Sequence, residues 1–446
     1  MNTQLETHQV RKSLRYSVMD AASYSVMLGL TQNYVSPLAL ELNASTTQIG
    51  LLSSIPSLAM SFSQLSAPYL STRAGSRKGF ILPMVFMHAL MFIPILLVPF
   101  IFHISPVWWL IAFVTVSVTL GAIANPAWGS MMADLVPMRL RGRYFGFRGQ
   151  VAGFITQVFS YAAAGILLLF SSNIFIGYAI LFGSATLFRI LSGVFISKQY
   201  EPLPVVSRKK SRSLLQIIKS ISSTNLGKFM LFFALIDFCT MLSGPFFTVF
   251  MFRDLNFNYL YYCIVSSSSQ LAMLVFLPFW GRRADKWGNL KVVRLTTGMI
   301  WLMPIFWVFS DNIIYLVCAN IISGFVWSGF SLSGINFTYD ASAPQDRTKQ
   351  LAVFGAMDGL ACCLGATIGG VIAPHLPPLL GYPLRTLFVI SGVLRAVVVV
   401  FLLRQIKEVR NVSEVSSWQL LTGHSGDVEK PKGKFTFRKK DDDDTG

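Results

Sequence analysis

Five charged side chains stand inside long apolar runs, and they set the chemistry open to this chain: Asp20, Arg189, Asp237, Asp358 and Arg395. A charge at bilayer depth costs about 2.5–3.5 kcal/mol on insertion scales, so each is a functional candidate. Asp237 lies in Leu235-Ile236-Asp237-Phe238-Cys239, with no basic residue within a helical turn. Desolvation disfavours the charged form of such a carboxyl. A carboxyl in that setting can take a proton from one side of a barrier and release it to the other. Asp358 is the second proton-coupling candidate, and the two acids are expected to divide substrate binding and proton carriage. Asp20, at the start of the first apolar run, is expected to be solvated and structural. Arg189 and Arg395 fall at equivalent places in the two halves of the chain. That favours a shared structural role, as carboxylate partners or as snorkelling groups.

Covalent, metal and nucleotide chemistry find no footing. No G-x-x-x-x-G-K-[ST] loop occurs, so ATP-driven pumping is not expected, and there is no H-E-x-x-H. The five His are scattered, and no nucleophile–base pair stands out; the chain does not read as an enzyme, and no cofactor or metal is expected. Cys239, Cys263, Cys318, Cys362 and Cys363 all lie in apolar runs, which leaves neither a disulfide framework nor C-x-x-C metal spacing.

The elements that must position these groups follow from composition. The chain is 53% hydrophobic and 13% charged, where a soluble chain has about 25% charged residues. The bilayer therefore stands in for a large water-excluded core. A net charge of +17 invites a nucleic-acid reading. The basic residues instead form short clusters between apolar runs, which suits the positive-inside rule and not nucleic acid.

Spanning takes about 20 apolar residues per helix. Twelve helices are expected, at 17–40, 47–70, 79–101, 106–132, 146–170, 173–197, 226–252, 259–281, 290–310, 312–337, 349–374 and 381–404. All but four of the 37 basic residues fall on the side of the N-terminus; the exceptions are Arg189, Arg253, Arg385 and Arg395. The N-terminus (1–16), the linker (200–225) and the tail (405–446) are therefore expected in the cytoplasm. They flank two six-helix halves, 17–199 and 226–404. The linker is Ser-rich and basic, and is expected to be solvated. A surface helix at Leu214–Ile221 on an anionic leaflet is the alternative. The tail, with four Asp after Lys439-Lys440, is expected to be disordered.

The two halves are copies. At an offset of 213, Leu42-Asn43 falls on Leu255-Asn256, Ser53-Ser54 on Ser266-Ser267, Arg73 on Lys286 and Gly75 on Gly288. At an offset of 206, Asp134 falls on Asp340, Arg141 on Arg347, Arg143 on Lys349, Gly153 on Gly359 and Arg189 on Arg395. Repeats this long in an apolar chain point to a transporter built from two halves around a midplane site. Between helices 8 and 9 the chain reads Gly281-Arg282-Arg283-Ala284-Asp285-Lys286-Trp287-Gly288. Gly281 and Gly288 suit a tight turn and close helix approach. Asp285 suits acceptance of hydrogen bonds from a neighbouring helix N-terminus, a cluster able to latch one conformation. This loop resembles the signature loop of the major facilitator superfamily, as does Asp134–Gly146 after helix 4. The first copy of the loop is degenerate: Pro68 and Thr72 replace its Gly and Asp, while Arg73, Gly75, Arg77 and Lys78 remain.

The resemblance implies an all-α membrane fold of twelve helices in two six-helix halves. It implies a gate built from Gly281, Asp285, Lys286, Gly288, Arg73, Gly75, Asp134, Arg141, Asp340 and Arg347. It also implies a cavity lined by helices 1, 4, 7 and 10, with 2, 5, 8 and 11 beside them. Carried onto this chain, the substrate-cavity candidates are Gln32, Asn33, Asn125, Trp128, Gln150, Gln157, Gln270, Asn320 and Trp327. For any one of them, packing between helices is the competing role. Helix 5 lacks the Gly-Pro pair of the superfamily's antiporter signature, which weakens a drug-exporter reading. The expectation is a monomeric secondary transporter in the plasma membrane, moving a small solute by alternating access with protons as coupling ion. An exporter of amphipathic compounds, an uncoupled facilitator and a non-transporting receptor are the alternatives. Two acids, several amides and no cavity-facing Lys argue against a strongly anionic substrate, unless Arg189 or Arg395 faces inward.

Overall fold

A computed structural model describes residues 2–73, 75–136, 141–201, 223–342 and 347–409. Side chains are left undescribed at 2–8, 64–65, 67–69, 71–72, 133, 141–143, 347–349 and 352. The expected surface helix at Leu214–Ile221 and the tail beyond residue 409 lie outside the described residues, as do the side chains of Pro68, Thr72, Arg141 and Arg347.

Among the described residues, twelve helical rods run in chain order. The first half holds α1 (Asn2–Thr31, resumed as Val35–Glu41), α2 (Thr46–Arg73), α3 (Arg77–Leu90 and Phe92–Ile101), α4 (Pro106–Leu135), α5 (Arg141–Leu169) and α6 (Ile174–Ser197). The second holds α7 (Asn225–Ser243, Phe246–Val249 and a π turn at Phe250–Asp254), α8 (Tyr259–Trp287), α9 (Asn289–Ile300 and Leu302–Phe309), α10 (Ile313–Ala341), α11 (Arg347–Ile372) and α12 (Pro383–Leu402). Of these described helices, ten are long and apolar enough to cross a membrane; α1 and α2 are long but more polar. Several of their serines, among them Ser13, Ser17, Ser54 and Ser61, are buried in the bundle. α1 also begins at Asn2, so the polar N-terminus is helical and continuous with the first span.

Breaks and ends have local causes. Pro245 has no N–H to offer Met241, and α7 breaks at Gly244-Pro245. Side-chain oxygens of Ser76, Thr224, Asn258 and Asn312 accept from the free N–H groups that open α3, α7, α8 and α10. The duplication is visible in the backbone. Asn43 and Asn256 both adopt left-handed φ, 61° and 51°, and Gly75 and Gly288 do so at 70° and 95°. Asn and Gly tolerate that region best, which explains why these types recur at the 213 offset.

The halves meet along two related seams, α2 with α11 and α5 with α8. The first is close because side chains are missing. A Cβ on Gly50 would lie 2.5 Å from the carbonyl oxygen of Ala366, and one on Gly359 would collide with Ser61. α11 also lies against α7, where Gly365 and Gly369 meet the carbonyl oxygens of Phe238 and Leu242. Small residues that admit neighbouring backbones are how membrane helices gain packing energy without a hydrophobic driving force.

Candidate functional site

The close approach of α7 and α11 brings the two midplane acids together. Asp237 of α7 lies beside Asp358 of α11, close enough for the two carboxyls to interact, and Arg395 of α12 is the cation near enough to act on Asp237. Two carboxylates are both acceptors, so a hydrogen bond between them would need one to carry a proton. The Oδ1 atom of Asp358 is buried without a hydrogen-bond partner. Arg395 is 2% exposed; its Nη1 donates to Ile300 O (3.2 Å) and its Nη2 to Ser243 Oγ (3.3 Å), while Nε is buried without a partner. The same side chain lines a cavity of about 330 Å³ in the second half, with Asn33, Gln270, Asn320, Trp307 and Trp327. Asn33 and Asn320 are partly engaged already, through Ser160 Oγ (3.3 Å) and Leu316 O (2.9 Å).

A second cavity, of about 440 Å³, occupies the first half and takes in Gln32 and Asn125 with His88, Tyr24, Ser57 and Ser117. It adjoins a smaller one of about 120 Å³ that shares Tyr24 and Asn125 and adds Asp20, Trp128, Arg148 and Arg189. Asp20 is not solvated as expected: it is 3% exposed. The reason is that α1 runs back to Asn2, so Asp20 sits mid-helix and faces α5 and α6. Its Oδ1 accepts from Ser192 (2.7 Å) and its Oδ2 from Arg148 (3.2 Å). Arg189 in turn donates to Ser192 Oγ (3.0 Å) and His88 Nδ1 (3.1 Å). Among the described residues no ion pair joins Arg189 or Arg395 to a carboxylate, but their placement follows a common form. In each half an Arg of the sixth helix lies near an Asp of the first, Asp20 or Asp237.

Gln150 is exposed on α5 and Gln157 is buried with Oε1 unpartnered; both lie outside these three cavities. His88 and Arg148 escaped the sequence reading. Asp20 had a signal: Ser13, Ser17, Asp20 and Tyr24 form a polar stripe at helical spacing.

The basic loops hold a paired arrangement. Arg77 Nη1 contacts Asp134 Oδ2 at 2.6 Å, and Glu201 accepts from the Arg77 N–H and from Ser76 Oγ, each at 2.7 Å. In the second half Asp340 accepts from Asn289 Nδ2 (2.7 Å) and Glu408 from the Leu290 N–H (2.8 Å). Each half therefore has a carboxylate beyond its sixth helix seated on the start of its third, where the helix dipole favours it. Partial burial pushes the Glu201 carboxyl up. The hydrogen bonds from Ser76 and from the Arg77 and Lys78 N–H groups, with the Arg77 charge, outweigh that and hold it below the usual range. Gly288 has the positive φ that a turn requires. Gly281 does not need to be Gly, because a Cβ there would only touch Leu332 at 3.6 Å. Asp285 and Lys286 are exposed at the end of α8, and Arg73 is exposed at the end of α2.

At the opposite end of the bundle the halves are tied together. Tyr259 Oη donates to Glu41 Oε1 (2.6 Å) and pairs with Tyr178 Oη (3.0 Å). Tyr262 donates to Asn33 O (2.7 Å), Thr47 to Gly370 O (3.0 Å) and Arg253 to Ala44 O. Tyr161 and Ser267 pair at 2.6 Å.

Comparison with known proteins places this architecture. The family model of the Major Facilitator Superfamily matches residues 18–241 and 229–439. An MFS-type transporter of Aspergillus terreus is 25% identical over 126 residues, which is 28% of this chain and 22% of that protein's length. A variant of the nucleoside transporter NupG superposes with a TM-score of 0.70 at 14% identity, over 89% of this chain and all of its own. The xylose transporter XylE from E. coli gives 0.62 at 12% identity, over 90% of this chain and 98% of its own. A bacterial homologue of the human lysosomal transporter Spinster, inward-facing and occupied, gives 0.59 at 15% identity, over 90% of this chain and 97% of its own. Twelve rods in two duplicated halves, signature loops and a matching family model across the chain carry one conclusion: this protein belongs to the Major Facilitator Superfamily and is an integral multi-pass membrane protein with a transporter fold.

Proposed function

We propose that the chain is a monomeric, proton-coupled secondary transporter that moves a small solute by alternating access. The halves 17–199 and 226–404 are its two moving bodies. The observation that carries the coupling is the contact of Asp237 with Asp358, with Arg395 beside it. A shared proton there satisfies the pair, and its loss leaves two like charges around one cation. That difference can bias which packing of α7 against α11 prevails, which is what coupling requires. The outer ties through Tyr259, Tyr262 and Arg253 support a state closed on the side away from the basic loops. The basic loops, both termini and the linker face the cytoplasm in this reading. A cysteine introduced at Ser207 then stays shielded from impermeant thiol reagents in intact cells, and strong labelling there reverses the orientation.

The solute class is open to a direct test. Thermal-shift screening of the purified protein finds stabilising solutes, since a ligand stabilises by mass action. Each hit is then tested for uptake into proteoliposomes under an imposed pH gradient. Accumulation that collapses with the gradient supports the reading. Binding with no flux in either direction would leave a receptor on a transporter fold.

A further inference from the structure

We propose that the small cavity of the first half, between Trp128, Arg148 and Arg189, is a binding site for the carboxylate of a singly charged amphipathic solute. The proposal rests on the transporter reading for its role, since it names the solute class of that machine, but the site itself can be tested without transport.

The cavity presents donors and a surplus of charge. Arg148 donates through Nε to Ser17 O (3.2 Å) and through Nη2 to Asp20 Oδ2 (3.2 Å). Arg189 donates through Nε to His88 and through Nη1 to Ser192. The remaining nitrogens, Nη1 of Arg148 and Nη2 of Arg189, have no partner among the described residues, and both side chains line this cavity. Trp128 lines it as well, and its indole Nε1 is buried with no hydrogen-bond partner. An indole nitrogen can only donate, and a carboxylate brought against Trp128 would supply the acceptor that its Nε1 lacks among the described residues.

Charge supports the same conclusion. Arg148 and Arg189 bring two positive charges and Asp20 one negative, with both of its oxygens already taken. His88 accepts through Nδ1 and adds no charge there. One positive charge is left, which suits a monoanion. The guanidiniums are held in place by aromatic faces, Arg148 over Trp128 at 4.3 Å and Arg189 over Tyr24 at 4.6 Å. Arg forks match the planar, two-oxygen geometry of a carboxylate. The adjoining cavity of about 440 Å³ continues past Tyr24 and Asn125 along Met27, Leu28, Phe92 and Ile95, which provides room for an apolar body. The expectation that a strongly anionic solute is disfavoured turned on whether Arg189 or Arg395 faces inward, and Arg189 lines this small cavity.

The test measures binding of benzoate and of its neutral isostere benzamide to the purified full-length protein by titration calorimetry at fixed ionic strength. Benzoate should bind at least tenfold more tightly than benzamide. Trp128→Phe keeps the ring and removes only the N–H; it should weaken benzoate about tenfold and benzamide by less, since a bond to the charged oxygen is the stronger. Equal affinity for the two probes in the wild-type protein overturns the proposal, and that comparison needs no variant. Wild-type benzoate affinity in a folded Trp128→Phe protein overturns it too, as does tighter binding of phenyl phosphate than of benzoate, which would break the charge match. Benzoate binding in a protein that shows no solute flux would sink the transporter reading and leave the site. Flux of neutral solutes without benzoate binding would do the reverse.

Discussion

Replacing Tyr259 with Phe should unfasten the outer end of the molecule. The ring packs as before, but one hydroxyl is lost that bonds both Glu41 (2.6 Å) and Tyr178 (3.0 Å) across the halves. A hydrogen bond to a charged group contributes about 1.5–3 kcal/mol and a neutral one about 0.5–1.5 kcal/mol. Glu41 is exposed and regains water when released, so the low end of each range applies. The closed state should lose about 2 kcal/mol relative to the open one, a shift of about 30-fold in the equilibrium between them. Cys263 reports that opening. It is 2% exposed and lies at the seam, its Sγ 3.8 Å from Ser160 Oγ of the other half. With Cys239, Cys318, Cys362 and Cys363 changed to Ser, an impermeant maleimide added from outside should label Cys263 slowly. In Tyr259→Phe the rate should rise by up to about 30-fold. An unchanged rate would mean that these bonds do not hold the halves closed.

Two further substitutions probe the scaffold. Gly369→Ala places a methyl against the Leu242 carbonyl oxygen and 2.8 Å from the Phe246 ring. Overpacking of this kind costs about 1–3 kcal/mol, so the melting temperature in detergent should fall, and unchanged melting would contradict the α7–α11 contact. Glu201→Gln should lower stability at neutral pH by removing the carboxylate seated on the start of α3. Because the folded-state pKa of Glu201 lies below its ordinary 4.5, its contribution is full above that pH and is lost as pH falls through the folded value. The wild-type advantage over Glu201→Gln should therefore be complete at pH 7 and shrink below about pH 4.5; an advantage that persists there contradicts the assignment.

Much of this architecture is legible in the sequence because the bilayer enforces it. Apolar runs of spanning length must be helices, basic clusters must mark their ends, and a duplication doubles the signal at Asn43 and Asn256 or Gly75 and Gly288. Asp237 and Asp358 stand out one by one for the same reason. Their contact does not, since it depends on Gly365 and Gly369 letting α11 reach the α7 backbone, and no spacing in the chain encodes which glycine faces which carbonyl. Asp20 was misplaced by a boundary: a span begun at residue 17 makes it terminal, whereas a helix begun at Asn2 makes it internal. His88 gave no signal, because a single His in an apolar run reads the same whether it meets Arg189 or a methyl group. Glu201 and Glu408 were overlooked because each caps a helix distant in sequence.

The central claim, that the Asp237–Asp358 pair couples proton and solute movement, is tested most directly by Asp237→Asn in proteoliposomes. Asn keeps the size and the hydrogen-bonding capacity of the protonated acid but has no proton to release. With a solute found by the thermal-shift screen, wild-type protein should accumulate it under an imposed pH gradient. Asp237→Asn should abolish that accumulation while retaining exchange of internal for external solute, because exchange needs the halves to rock but not the proton to leave. Accumulation at the wild-type level in Asp237→Asn would contradict the account.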